Sequence, residues 1–214
     1  MELELNLRIP GPIPVDDDIL TSMSSQMINH RGPEYKEILY SVTDRLKKVF
    51  ETTSEVFILT ASGTGGMEAA IVNTLSPEDK VINASCGSFG ERFGSIASIY
   101  GADVIELKFP YGKAVDLDRL RKTLQENPDT KAVTVTHNET STGVVNNIEK
   151  ISEVVKGEFG SLLLVDGVSS VSSIPVRTDE WNCDVVATAS QKGWGVPPGL
   201  AFFNFSSDAW EAHK

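Results

Sequence analysis

The chain has 214 residues, with 30 Asp and Glu against 19 Lys and Arg, a net charge of −11, 40% hydrophobic and 23% charged residues. This is the balance of a globular chain with enough apolar residues for a sizeable core, and its acidic excess excludes a nucleic-acid backbone as partner. No apolar run reaches membrane-spanning length, Met1–Val15 lacks the basic and apolar regions of a signal peptide, and Cys86 and Cys183 give neither a disulfide framework nor a metal cluster, so the expected setting is the cytoplasm with no membrane partner.

After a proline-rich entry at Ile9–Pro14, helical periodicity predicts two stretches, Asp16–Asn29 and Pro33–Glu51. β-rich runs then follow at Val56–Thr60, Lys80–Ala84, Asp103–Phe109, Ala132–His137, Ser161–Asp166, Val185–Ser190 and Leu200–Phe205. Between them lie helix-period segments at Gly65–Leu75, Phe89–Tyr100, Asp116–Glu126 and Ile148–Lys156. Runs such as Ser161-Leu-Leu-Leu-Val-Asp166 are apolar almost throughout, as in strands buried on both faces. The alternation predicts a three-layer α/β/α fold around a seven-stranded, mostly parallel sheet. The Gly/Pro-rich connection from Ser190 to Leu200 has no crossover helix, so the last strand is expected to run antiparallel.

In such sheets ligands collect at the carboxyl ends of the strands. The polar and glycine-rich residues fall there: Ser62-Gly-Thr-Gly65, Ser85–Gly90, Asn138–Ser141, Asp166-Gly-Val168 and Ser190-Gln-Lys192. Ser62-Gly-Thr-Gly65 follows a strand and opens a helix, where backbone N–H groups and the helix dipole suit an anion. The same residues also suit a tight strand–helix turn. A dinucleotide fingerprint fails because Glu68 stands where a third glycine is needed, and no Gly-Lys-Ser/Thr of a Walker loop is present. Asp166 ends the most apolar strand, where a carboxylate is costly unless a cation or several donors meet it. Lys192 stands among Ser, Gly and Trp after another strand, where desolvation would lower its pKa and make the amine nucleophilic toward a carbonyl. An anion cradle, a reactive lysine and a buried acid are the parts of a pyridoxal phosphate site, and Phe89 is placed to stack on the ring. His30, His137 and His213 show no ligand spacing, so no metal is expected, and His137 reads as a hydrogen-bonding core residue at a strand end.

Across nearly its whole length the chain resembles the class V aminotransferases of fold type I, in the branch of serine–pyruvate and alanine–glyoxylate aminotransferases. The resemblance rests on the order and spacing of Pro10-Gly-Pro-Ile-Pro-Val15, His30-Arg-Gly-Pro-Glu34, Ser62-Gly-Thr-Gly65 with Met67-Glu-Ala-Ala70, and Phe89-Gly-Glu-Arg92. It continues through His137-Asn-Glu-Thr-Ser-Thr-Gly143, Leu164-Val-Asp-Gly-Val-Ser-Ser170, and Ser190-Gln-Lys192 with Pro197-Pro-Gly199.

The resemblance implies that Lys192 forms a Schiff base with pyridoxal 5'-phosphate, that Asp166 pairs with the pyridine nitrogen, and that Val168 and Phe89 flank the ring. It matches Ser62, Gly63, Thr64 and Gln191 to phosphate contacts, Thr140 (with Ser141 as the competing neighbour) to a hydroxyl near the ring oxygen, and Gly11 to the substrate pocket. It further implies a homodimer, small amino acid and 2-oxo acid substrates, and a ping-pong transamination from alanine or serine to glyoxylate or pyruvate. The alternatives are a lyase or desulfurase of the same superfamily, or a fragment that binds cofactor without turnover. Residues 31–214 are expected to form the cofactor-binding large domain after an N-terminal segment at 1–30. The small C-terminal domain, with the arginine that forks onto the substrate carboxylate, is expected to be absent from the chain.

Overall fold

Alternate residues of the central strands feed two separate cores, one on each face of a single sheet. The computed structural model describes residues 7–214, so residues 1–6 of the expected N-terminal segment lie outside the described residues. In chain order the strands are β1 (Glu55–Thr60), β2 (Lys80–Ser85), β3 (Asp103–Lys108), β4 (Ala132–Thr136), β5 (Asn138–Glu139), β6 (Val144–Val145), β7 (Leu162–Asp166), β8 (Val185–Ala189) and β9 (Leu200–Phe205). Seven form the main sheet in the order β1-β9-β8-β7-β4-β2-β3, and β5 with β6 makes a small separate hairpin. β3, β2, β4, β7 and β8 run parallel, while β9 is antiparallel to both β8 and β1. The three-layer fold with a mostly parallel seven-stranded sheet and an antiparallel last strand is therefore present.

The helices are α1 (Asp17–Met23), α2 (Pro33–Phe50), α3 (Gly63–Thr74), α4 (Ser88–Ile99), α5 (Leu117–Glu126), α6 (Ile148–Ser152), a π-helical segment at Glu153–Glu158, and α7 (Ser207–His213). On one face Met67, Ile71, Phe93 and Ala209 from α3, α4 and α7 pack on Leu162, Leu164, Val185 and Phe203. On the other, Phe50, Leu120, Leu124, Ile151 and Val155 pack on Leu163, Val165, Val186 and Phe202. Leu162 and Leu164 thus serve one core and Leu163 and Val165 the other, which is why β7 tolerates no polar residue before its last.

Two elements differ from expectation. The predicted helix Asp16–Asn29 stops at Met23, none of its residues is buried, and Ser24 Oγ donates to the Thr21 carbonyl at 2.7 Å. Its Ser-rich end offers local hydrogen bonds that compete with the helix, and no packed face holds it together. The predicted helix Ile148–Lys156 changes to π-helical spacing after Ser152 while Val154 and Val155 stay buried.

The sheet also carries a polar rung. Asn83 on β2 donates to Glu106 Oε2 at 2.9 Å on β3, and accepts from Thr134 Oγ1 at 2.8 Å on β4. Gly94 of α4 lies directly on this rung, and a Cβ there would overlap the Asn83 amide and approach Glu106 Oε1 at 2.6 Å. Gly94→Ala is expected to lower stability by about 1–3 kcal/mol, outweighing alanine's gain of about 1 kcal/mol in helix propensity. Urea unfolding should show a reduced midpoint at unchanged slope; an unaltered midpoint would mean that α4 can lift from the sheet without cost.

Candidate active site

The connections that leave the carboxyl ends of β1, β2, β7 and β8 meet at one cavity of about 280 Å³. Its walls include Gly11, Ser62, Gly63, Thr64, Phe89, Asp166, Val168, Gln191 and Lys192, which the sequence had marked, together with Met67 and Arg92.

On the β1 side, Ser62 caps α3 by accepting from the Gly65 N–H. The first-turn N–H groups of Gly63 and Thr64 have no intrahelical acceptor, as at any helix start, and both residues line the cavity. Gly63 must be small: a Cβ there would lie 2.6 Å from Val168 Cγ2. α3 therefore seats against the residue that follows Asp166, and cradle and acid are built as one unit.

Asp166 closes β7 with 3% of its surface exposed. Oδ1 accepts from the Val168 N–H at 3.0 Å, and Oδ2 from Thr136 Oγ1 at 3.2 Å. These two donors offset only part of the desolvation, and burial pushes the Asp166 pKa up to about 6. No ion pair of Asp166 exists among the described residues.

Lys192, after β8, donates from Nζ to the Pro10 carbonyl at 2.9 Å. Burial lowers its pKa, opposed by the nearby Asp166 carboxylate. The N-terminal segment lies across the lysine and is tied down by Ile13 N–H donating to the Gln191 carbonyl at 3.2 Å. A Cβ on Gly11, whose φ is +142°, would sit 2.6 Å from Lys192 Cδ and 3.0 Å from Nζ, so only glycine lets the segment pass this close. Beside the lysine, the Gln191 side-chain oxygen is buried with no donor.

Phe89 enters the cavity from the start of α4, and its position is set by a residue the sequence reading passed over. Glu139 is fully buried in the β5–β6 hairpin and accepts from Phe89 N–H at 3.2 Å, Gly90 N–H at 2.9 Å and Ser141 Oγ at 2.6 Å. The carboxylate caps α4, whose own N-cap, Gly87, has no side chain to do so. A Cβ on Gly87 would overlap Glu139. The available signal was a glutamate within the polar run Asn138–Ser141 that directly follows a strand. Ser141 is thereby engaged with Glu139 and the Ser88 N–H, whereas the Thr140 hydroxyl lies 2.6 Å from Ser169 Oγ. Thr140 does not line the cavity. His137 is buried, edge-on to Trp181 at 5.8 Å, and burial pulls its pKa down to about 4. Its backbone N–H donates to the Asp166 carbonyl, but its ring Nδ1 has no partner, so the expected hydrogen-bonding role belongs to the backbone alone.

The family model described as Aminotransferase class-V matches residues 18–213. The chain is 43% identical over 216 residues to the soluble hydrogenase small subunit of Synechococcus sp. (strain PCC 6716), covering all of this chain and 56% of that protein. It is 40% identical to the L-aspartate–glyoxylate aminotransferase of Paracoccus denitrificans, over 95% of this chain and 52% of that one. Among solved structures, alanine–glyoxylate aminotransferase from Nostoc sp. superposes with a TM-score of 0.92 at 34% identity, over all of this chain and 57% of that one. The chain spans about half the length of the curated relatives it matches.

The raised pKa of Asp166 has a definite stability signature. The folded chain holds this proton up to about pH 6, while an unfolded aspartate releases it near 3.9. Stability without cofactor therefore falls as pH rises from about 4 to 6, by about 3 kcal/mol at most. Asp166→Asn should be more stable than the parent at pH 7 and equal to it near pH 4, measured by urea unfolding at both values. The same gap at both pH values would show that the buried carboxylate is already compensated.

Proposed function

The chain belongs to the class-V aminotransferase family, and from that footing we propose that it supplies the pyridoxal-phosphate-binding part of an aminotransferase moving an amino group from alanine or serine to a 2-oxo acid such as glyoxylate or pyruvate. The observation that carries this reading is the meeting, on one cavity, of a partly desolvated amine, a buried carboxylate without an ion pair and an open helix start.

These residues fit the cofactor. Asp166 lacks a cation, which a protonated pyridine nitrogen would provide; the α3 N-terminus with Ser62, Gly63 and Thr64 suits the phosphate; and the orphaned Gln191 amide lies alongside. Phe89 and Val168 stand to take the two ring faces. When bound, the cofactor supplies an electron sink next to the substrate's amino-bearing carbon. Lys192 Nζ, with its charge disfavoured by burial, would hold the cofactor through its carbonyl carbon with loss of water and, once displaced by the substrate's amino group, would be free to accept the proton from the substrate Cα. Asp166 keeps a proton on the ring nitrogen, and Glu139 holds the Phe89 backbone so that the ring stays in place. Gly11 gives the Pro10–Ile13 segment its close approach to the lysine and walls the substrate side.

On this reading residues 31–214 are the large domain, 1–30 the segment that reaches the site, and the arginine for the substrate carboxylate comes from a small C-terminal domain. The names of the Paracoccus and Nostoc relatives both specify glyoxylate, which supports that acceptor. The name of the Synechococcus relative points to a hydrogenase, but a reactive lysine, a ring acid and an anion cradle are the parts of imine chemistry. A homodimer is supported by the exposed apolar residues Ile38, Leu39, Tyr40 and Val42 along α2. No helix among the described residues is long and apolar enough to cross a membrane, and the free, buried Cys86 and Cys183 accord with a cytoplasmic location. Burial raises both thiols, which disfavours either as the nucleophile of a desulfurase.

Incubation with pyridoxal phosphate followed by borohydride reduction should place one cofactor mass on Lys192, found by peptide mass spectrometry, and Lys192→Ala should carry none. An adduct of undiminished yield in that variant would remove the lysine from its role. Amino-group transfer from alanine or serine to glyoxylate tests the reaction itself, and adduct without transfer would mark a chain that binds cofactor only.

A further inference from the structure

Resting on the cofactor reading above, we propose that Arg92 recognises the anionic end of the bound cofactor and makes the cavity selective for phosphorylated over unphosphorylated pyridoxal. The charge balance of the cavity leads to this residue. Three charged side chains line it: Asp166, Lys192 and Arg92. Asp166 has the wrong sign for a phosphate. Lys192 gives up its charge when it acts as a nucleophile, and burial already disfavours that charge. A guanidinium keeps its charge at any relevant pH, and its planar fork of donors matches phosphate oxygens.

The position fits as well as the charge. Arg92 follows Phe89 by one helical turn on α4, so the two share a face. Its guanidinium lies over the Phe89 ring, 5.1 Å from the centroid, and Nη1 is 3.5 Å from Thr64 Oγ1 in the cradle. It thus spans from the stacking ring to the residues at the open N-terminus of α3. Among the described residues Arg92 makes no ion pair, although its neighbour Glu91 pairs with Lys108 at 3.6 Å. Arg92 is exposed, yet its guanidinium lines the cavity beside the cradle and pairs with no carboxylate among the described residues.

The test is titration of the full chain with pyridoxal phosphate and, separately, with pyridoxal, followed by absorbance at two salt concentrations. Arg92→Gln should weaken pyridoxal phosphate about tenfold or more while leaving pyridoxal within about twofold, and should flatten the salt dependence. Arg92→Lys, which keeps a point charge, should recover part of the preference. Urea midpoints of both variants close to the parent's would confirm that neither change acts through folding. Equal weakening of both ligands, or no weakening of either, overturns the role of Arg92. If the unsubstituted chain captures no pyridoxal phosphate on Lys192, the cofactor reading itself falls, and that failure is seen before any Arg92 variant is made.

Discussion

A carboxylate at the end of a strand buried on both faces is the constraint around which the site is organised. Leu162 to Val165 are committed to two opposite cores, so Asp166 cannot swing out to water without unpacking the strand that holds it. What the chain offers in compensation is small: one backbone N–H from Val168 and one hydroxyl from Thr136. The residual cost shows as a proton held to about pH 6. Such a group is a poor structural choice, since an apolar residue there would be cheaper. It makes sense as one half of an ion pair whose other half arrives with a ligand.

The rest of the cavity is shaped by side chains that are missing. Gly63 admits Val168, Gly11 admits Lys192, and Gly87 admits Glu139, each at a distance that a Cβ would forbid. The three contacts lock three different connections together: α3 onto the turn after β7, the N-terminal segment onto the loop after β8, and α4 onto the β5–β6 hairpin. Substituting any of these glycines would move a wall of the site rather than a residue inside it. Their role is therefore steric at two positions, while at Gly11 the positive φ adds a backbone requirement.

This explains what could be read from sequence and what could not. The strand–helix alternation was legible because strands buried on both faces are apolar almost throughout, as β7 before Asp166 and β8 apart from Thr188 are. Lys192, Asp166 and the Ser62–Thr64 turn were legible because each is chemically out of place for a core and follows a strand directly. Glu139 was not, because it caps a helix about fifty residues earlier in the chain, whereas the capping patterns a sequence displays are local. Arg92 was not legible as a site residue, since an arginine on a helix reads as a solvated charge until the ring beneath it is seen. The short α1 escaped for a different reason: helical periodicity says nothing about whether a partner surface exists to hold the helix.

The electrostatics of the cavity point in one direction. Burial raises the pKa of Asp166 and lowers that of Lys192, so it drives both groups toward neutrality. A simple salt bridge between them would do the opposite, depressing the acid and raising the amine. The chain has thus kept its acid and its amine from neutralising each other, with the amine given instead to the uncharged Pro10 carbonyl. On the proposed reading, a ligand that brings a cation to Asp166, a carbonyl carbon to Lys192 and an anion to the Arg92 side would satisfy all three at once. A neutral or singly charged ligand would leave at least one of them unmatched.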